Sequence, residues 1–323
     1  MRMLRVELTR FRWRRAIVLI LVAGTLLTAL VAASTVWETR PVSAEDRAHA
    51  QARADAEAQR PIYQRDLARC ERNPQRFFGA EASVEDCQRL LPSASWYLFR
   101  SELSLEQVNR EAGLGVIVIL TALMIIVGTT FAGADWASGS MSNQLLFQPR
   151  RARVWLAKAT AVLVGALVAT ALVVGAFWLT LHLVAESRGI PTGAGVQEAI
   201  RWTAGRGVLL AGAGALGGYA LTMLLRHTVG TLALMFAYAV GGEILVASLP
   251  IEGIGRWSLA NNVFAWLRDG HEYYDPSLAC APGRDYCEQV ARLGLADGAL
   301  FLAATLAVVA AVSLLAFRRR DIP

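Results

Sequence analysis

Six apolar runs, each long enough to cross a lipid bilayer, constrain this chain more than anything else in it. They lie at about residues 16–36, 114–132, 159–184, 207–225, 228–249 and 297–317. A helix rises 1.5 Å per residue, so roughly 20 apolar residues match a hydrocarbon core of about 30 Å. A helix of a water-soluble core is usually shorter and keeps a polar face. The composition agrees: 55% of residues are hydrophobic and only 18% charged, against about 25% charged in a soluble domain. The expected fold class is an all-α integral membrane protein with six transmembrane helices.

Between the runs the chain is polar, and the polar segments differ in kind. Residues 1–15 hold six arginines, while Leu4, Leu8 and Phe11 share one helical face. That pattern predicts an amphipathic interfacial helix leading into the first span, against the plainer reading of a positive-inside anchor. A cleaved signal peptide is disfavoured because the following apolar run exceeds the usual 7 to 15 residues. Residues 37–113 form a long insert whose Ala-, Arg- and Glu-rich first half predicts helix broken near Pro61 and Pro74. Residues 250–296 form a second insert, in which Trp257 to Leu267 is too short and too polar to span and reads as an interfacial or re-entrant helix.

Orientation follows from positive charge. Six spans place both termini on one side, with the N-terminal arginines, the Arg150–Lys158 cluster, Arg226 and the terminal Arg318–Arg320. Short basic loops stay cytoplasmic, whereas long loops translocate largely regardless of charge. Both termini and residues 133–158 are therefore expected in the cytoplasm, and both inserts outside, in a multi-pass protein of the bacterial plasma membrane. All four cysteines fall in the inserts, where disulfides persist. Four cysteines allow three pairings; the local ones, Cys70–Cys87 and Cys280–Cys287, are favoured. The net charge of +6 is explained by this topology without a nucleic-acid partner.

Enzyme signatures are absent. There is no G-x-x-x-x-G-K-[ST], no H-E-x-x-H and no G-x-S-x-G, so the chain has no P-loop with which to hold ATP. No metal site is expected. Asp269, His271, Glu272 and Asp275 read as a solvated loop, His182 as an interface residue and Asp297 as a helix N-terminal charge. Glu243 lies inside the fifth span, where a carboxylate is expensive. With Tyr238 it is a candidate for a substrate pathway, against the alternatives of a structural hydrogen bond to a neighbouring helix or of snorkelling outward.

Residues 133–158, GADWASGSMSNQLLFQPRRARVWLAK, carry the most specific local pattern: Asp135, Gly139-Ser140, Leu145-Leu146-Phe147, Pro149 with Arg151 and Arg153, and Lys158, the only lysine in the chain. Taken with the six spans and the polar inserts, this resembles the membrane subunit of a type-2 ABC exporter. The terminal Phe317–Ile322 also looks familiar from such subunits. Asp135 stands where Glu is commoner, and the first insert is larger than in minimal members. The resemblance implies a permease that pairs with a second copy or a related subunit. Two cytoplasmic ATPase subunits would bind ATP and Mg, and residues 133–158 would receive their motion. An apolar path would favour an amphipathic cargo such as a drug, lipid or peptide. Two other readings stay open: a non-transport sensor or assembly protein whose insert binds a ligand, and a secondary transporter using Glu243.

Overall fold

The computed structural model describes residues 2–79, 82–98, 102–249, 251–275, 278 and 289–320. The protein is all-α, with 82% of the described residues helical. The chain divides into two compact units, one of residues 1–32 with 105–323 and one of residues 33–104.

The chain opens with α1 (Arg2–Trp13) and α2 (Arg15–Glu38). The smaller unit then contains α3 (Ala44–Ala58), α4 (Pro61–Arg72) and α5 (Pro74–Phe78), followed by 3₁₀ turns at Val84–Leu90 and Ala94–Trp96. Ser43 caps α3 by accepting from the Asp46 N–H, and proline occupies the first turns of α4 and α5, where its missing N–H costs nothing. A Cys70–Cys87 disulfide with both cysteines fully buried ties α4 to the first 3₁₀ turn, as the local pairing predicts. Cys280 and Cys287 lie outside the described residues.

In the larger unit α6 (Leu105–Arg110) leads into α7 (Ala112–Ala137), then α8 (Ser140–Phe147), α9 (Arg151–Ser187) and α10 (Ala194–Leu225). The fifth apolar run is α11 (Thr228–Ala237), a π-helical turn over Tyr238–Gly242, and α12 (Glu243–Ser248). After α13 (Leu259–Arg268) come β1 (His271–Tyr274) and β2 (Val290–Leu293), and α14 (Leu295–Arg319) closes the unit. The strands pair antiparallel, with His271 opposite Leu293 and Tyr274 opposite Val290. Among the described residues six helical segments are long and apolar enough to cross a membrane.

Helices α9 and α10 begin well before the apolar runs that announce them. Their extra turns are built from Arg, Glu and Gln, good helix formers, and α10 starts at Ala194 where the sequence reads as loop. The β1–β2 ribbon was likewise not expected from the sequence. Trp257–Leu267 does form a short helix, α13, whose N-cap Ser258 accepts from the Asn261 N–H. It packs closely on α14: a Cβ on Gly298 would sit 2.6 Å from the Asn262 carbonyl oxygen.

The core of the larger unit is the α7–α10 contact, which depends on small residues. A Cβ on Gly128 would come within 1.9 Å of the Ala215 carbonyl oxygen, and one on Gly218 within 2.6 Å of the Ile125 carbonyl oxygen. Glycine lets the two backbones touch, and in lipid that dispersion contact is a main source of helix association. Phe11, Ile17, Phe131, Trp155, Tyr219 and Phe317 pack into one buried cluster around it. The α11–α12 run, by contrast, leaves Val229, Leu234, Phe236, Ile244 and Leu245 exposed.

Candidate functional site

Where α1, α7 and α9 meet, the interior is ionic. The Lys158 ammonium is fully buried and lies 3.0 Å from Glu7 Oε2 and 2.5 Å from Asp135 Oδ2. Glu7 is also fully buried, and Asp135 is 1% exposed. Arg14 donates to the other Asp135 oxygen and to the Phe131 carbonyl. Two buried carboxylates thus face Lys158 and Arg14, with the more exposed Arg10 at 3.6 Å from Glu7 Oε1 as an outer third cation.

The remaining hydrogen-bonding capacity is filled from α8. Ser140 Oγ donates to Asp135 Oδ1 at 3.0 Å, and Gln144 Nε2 donates to Glu7 Oε1 at 2.7 Å. The Phe131 ring lies 5.5 Å from the Lys158 Nζ and 4.9 Å from the Arg14 guanidinium carbon, so both cations also meet its negative face. Beneath the group, the Tyr219 hydroxyl donates to the Trp155 carbonyl at 2.9 Å, and Trp155 Nε1 donates to Ser313 Oγ at 3.2 Å. One isolated charge in such a place costs several kcal/mol, and only close pairing with added hydrogen bonds offsets that.

The group holds α8 in a defined pose. Asp135 lies in the last turn of α7, Gly139 takes the left-handed conformation (φ 67°) that turns the chain, and α8 starts at Ser140. Glycine adopts that backbone without strain. Met141 is then fully buried and Leu145 packs against the core cluster, while Leu146 and Phe147 are 81% and 88% exposed. Beyond Pro149, the residues Arg150, Arg151 and Arg153 line an open basic cleft with Arg318. Arg151 also donates to the Arg320 carbonyl, tying the start of α9 to the end of α14.

Of the residues singled out in the sequence, Asp135, Ser140 and Lys158 come together in the buried group. Lys158 is fully buried, about two turns inside α9. Leu146, Phe147, Pro149 and Arg153 lie on the accessible side. Leu145 does not share the outward face of its two neighbours, because successive residues on a helix point about 100° apart. Glu243 and Tyr238 are elsewhere. Glu243 caps α13: its Oε2 accepts from Ser258 Oγ at 2.6 Å and its Oε1 from the Ala260 N–H at 3.0 Å. That is the structural hydrogen bond to a neighbouring helix. Tyr238 opens the π-helical turn and is half exposed.

Glu7 and Arg14 were missed by the sequence reading. Glu7 borders the face defined by Leu4, Leu8 and Phe11, next to Phe11, and is the only acid in residues 1–15. A lone acid beside the apolar face of an arginine-rich helix, in a chain with a lone lysine, is the signal that could have found the pair.

Among the described residues no group of His, Cys, Asp and Glu is arranged to hold a metal ion. No protein-family model, curated protein or solved structure matches the chain.

Proposed function

We propose that this chain is the membrane-spanning subunit of an ATP-driven exporter of the type-2 ABC class, driven through α8 by a separate cytoplasmic ATPase. The observation that carries the reading is the buried Glu7–Lys158–Asp135–Arg14 group. It joins α1, α7 and α9 at the one place where a short helix between two spans offers Leu146 and Phe147 to solvent. A push on α8 reaches Asp135 through Ser140 and Glu7 through Gln144, so it moves α1 and two spans together. Packed cores answer such displacements by shifting as blocks rather than by deforming.

In this reading α1 lies along the inner membrane surface, residues 133–158 face the cytoplasm and the insert 37–113 lies outside. An oxidising exterior suits the Cys70–Cys87 disulfide. The exposed apolar pair is the anchor for a groove on the ATPase, and the basic cleft orients the approach. Two ATPase subunits, with their ATP and Mg, would serve a pair of permease subunits, and the cargo would be amphipathic. A compact, disulfide-tied unit at residues 33–104 also suits the second reading, a sensor or assembly protein that binds a ligand outside.

The test is capture of an ATPase from native membranes by the tagged chain, with the double variant Leu146→Asp/Phe147→Asp as control. Neither side chain packs in the core, so stability should change by no more than about 0.5 kcal/mol. Capture and ATP-dependent transport should both be lost. A double variant that still captures the ATPase and transports would remove α8 as the docking element. A chain that recovers no nucleotide-binding partner would remove the exporter reading.

A further inference from the structure

Several arginines of the larger unit have a partner within it. Arg14 donates to Asp135, Arg206 pairs with Asp269 at 3.5 Å, Arg226 lies 4.9 Å from the Trp136 ring, and Arg320 donates to the Leu224 carbonyl at 3.1 Å. Arg150, Arg153 and Arg318 differ. Among the described residues they form no ion pair, side-chain hydrogen bond or ring contact. With Arg151 they line one cleft of about 540 Å³ between the start of α9 and the end of α14, and no carboxylate lines it among the described residues. Like charges gathered on one concave surface repel, and an anion entering there relieves that repulsion.

The walls of the cleft are joined at two levels. Arg151 donates to the Arg320 carbonyl at the rim, and one turn deeper along α9 the buried Trp155 Nε1 donates to Ser313 Oγ at 3.2 Å. Both walls turn from charged to apolar just below the cleft. After Arg153 the next exposed charge on α9 is Glu186, because Lys158 is buried, and before Arg318 the helix α14 carries no charge back to Asp297. Leu156 follows Arg153 by three residues, while Leu315 and Val312 precede Arg318 by three and six, which keeps each on the face of its arginine. All three are about half exposed.

A molecule seated here therefore meets unpaired positive charge at one end and aliphatic surface at the other. A soluble phosphate satisfies only the first part. A phospholipid with a negative headgroup satisfies both, and basic pockets between spans at the membrane surface suit such headgroups. We propose that the α9–α14 cleft holds an anionic glycerophospholipid, its headgroup against the four arginines and its acyl chains beside Leu156 and Leu315. One headgroup offsets one of the four positive charges, so the cleft stays basic with the lipid in place. The assignment needs no ATPase and holds on either side of the membrane.

The experiment equilibrates the full chain in mixed micelles with phosphatidylglycerol, phosphatidylethanolamine and phosphatidylcholine in equal parts, with matched acyl chains. Native mass spectrometry reads which lipids stay bound. Phosphatidylglycerol should be retained over both of the others. Arg153→Gln/Arg318→Gln should weaken its retention roughly 30-fold, at about fivefold for each arginine. Both side chains are exposed and unpartnered among the described residues, so this variant should melt like the parent protein. If it does not, Arg150→Gln carries the test with an expected fivefold loss. Arg5→Gln/Arg15→Gln removes the same charge from exposed positions near the start of the chain and should keep the lipid. Equal loss in the two double variants would overturn the proposal, because retention would then follow net charge alone. Retention that survives Arg153→Gln/Arg318→Gln would overturn it too. So would release of the lipid by millimolar inorganic phosphate, which would show that the acyl chains add nothing.

Discussion

Asp135 on α7 and Glu243 on α12 are both carboxylates set in apolar helices, and the fold meets them in different ways. Asp135 is buried and contacts two cations and a hydroxyl. Glu243 is partly exposed, and its described partners are the neutral Ser258 hydroxyl and the Ala260 N–H at the start of α13. The first carboxylate is one node of a closed charge balance that spans three helices. The second is a cap, using the positive end of one short helix. The difference teaches that an acid in a membrane helix has no fixed meaning. Its role depends on whether its counter-charge is a side chain from a distant segment or the end of a local helix.

The largest effect should come from opening the charge balance. Lys158→Met leaves Glu7 buried with only Gln144 and a longer contact to Arg10 at 3.6 Å. Asp135 keeps Arg14. Removing one partner of a buried pair costs about 3–5 kcal/mol, whereas replacing a pair by neutral groups of similar size is often tolerated. Thermal unfolding in detergent should show that loss for Lys158→Met, and Glu7→Gln/Lys158→Met should recover most of it. Asp135 and Arg14 then still balance each other. If the single variant melts like the parent protein, the contrast with Glu243 collapses.

A smaller effect is expected at the cap. Glu243→Ala removes both acceptors from α13, and losing a helix cap costs about 0.5–2 kcal/mol. The loss should be local, seen as faster amide exchange at Asn261 and Asn262, with α7 and α9 unaffected. Glu243→Gln keeps one acceptor oxygen and should lie between. A Glu243→Ala variant with unchanged exchange in α13 but lost transport would restore this residue to a substrate pathway.

The two carboxylates also differ in how far the sequence exposes them. Apolar runs are legible because span length is a property of composition alone, and the local Cys70–Cys87 pairing is legible from separation and side. Glu243 is conspicuous because it interrupts an apolar run. Glu7 is concealed among arginines, and its partner lies 151 positions away, a separation no local pattern encodes. Helix ends were unreadable for a related reason: polar residues continue α9 and α10 beyond the apolar stretch, and nothing local marks the point where the helix leaves it. The four-residue strands β1 and β2 are too short to show an alternation.

The smallest effect belongs to the region beside the cap. His271 begins β1 directly after α13, with its ring 5.5 Å from Phe264. Burial, and after it the positive Arg268, hold its pKa below the ordinary 6.5, with Glu272 opposing them. The folded state therefore resists protonation more than the unfolded chain does. Its contribution to stability is complete above the ordinary value and is lost as pH falls toward the depressed one. Amide exchange across the β1–β2 ribbon should quicken between pH 7.5 and pH 5, and His271→Phe should flatten that dependence while keeping the contact with Phe264. A pH dependence that persists unchanged in His271→Phe would move its origin to another group.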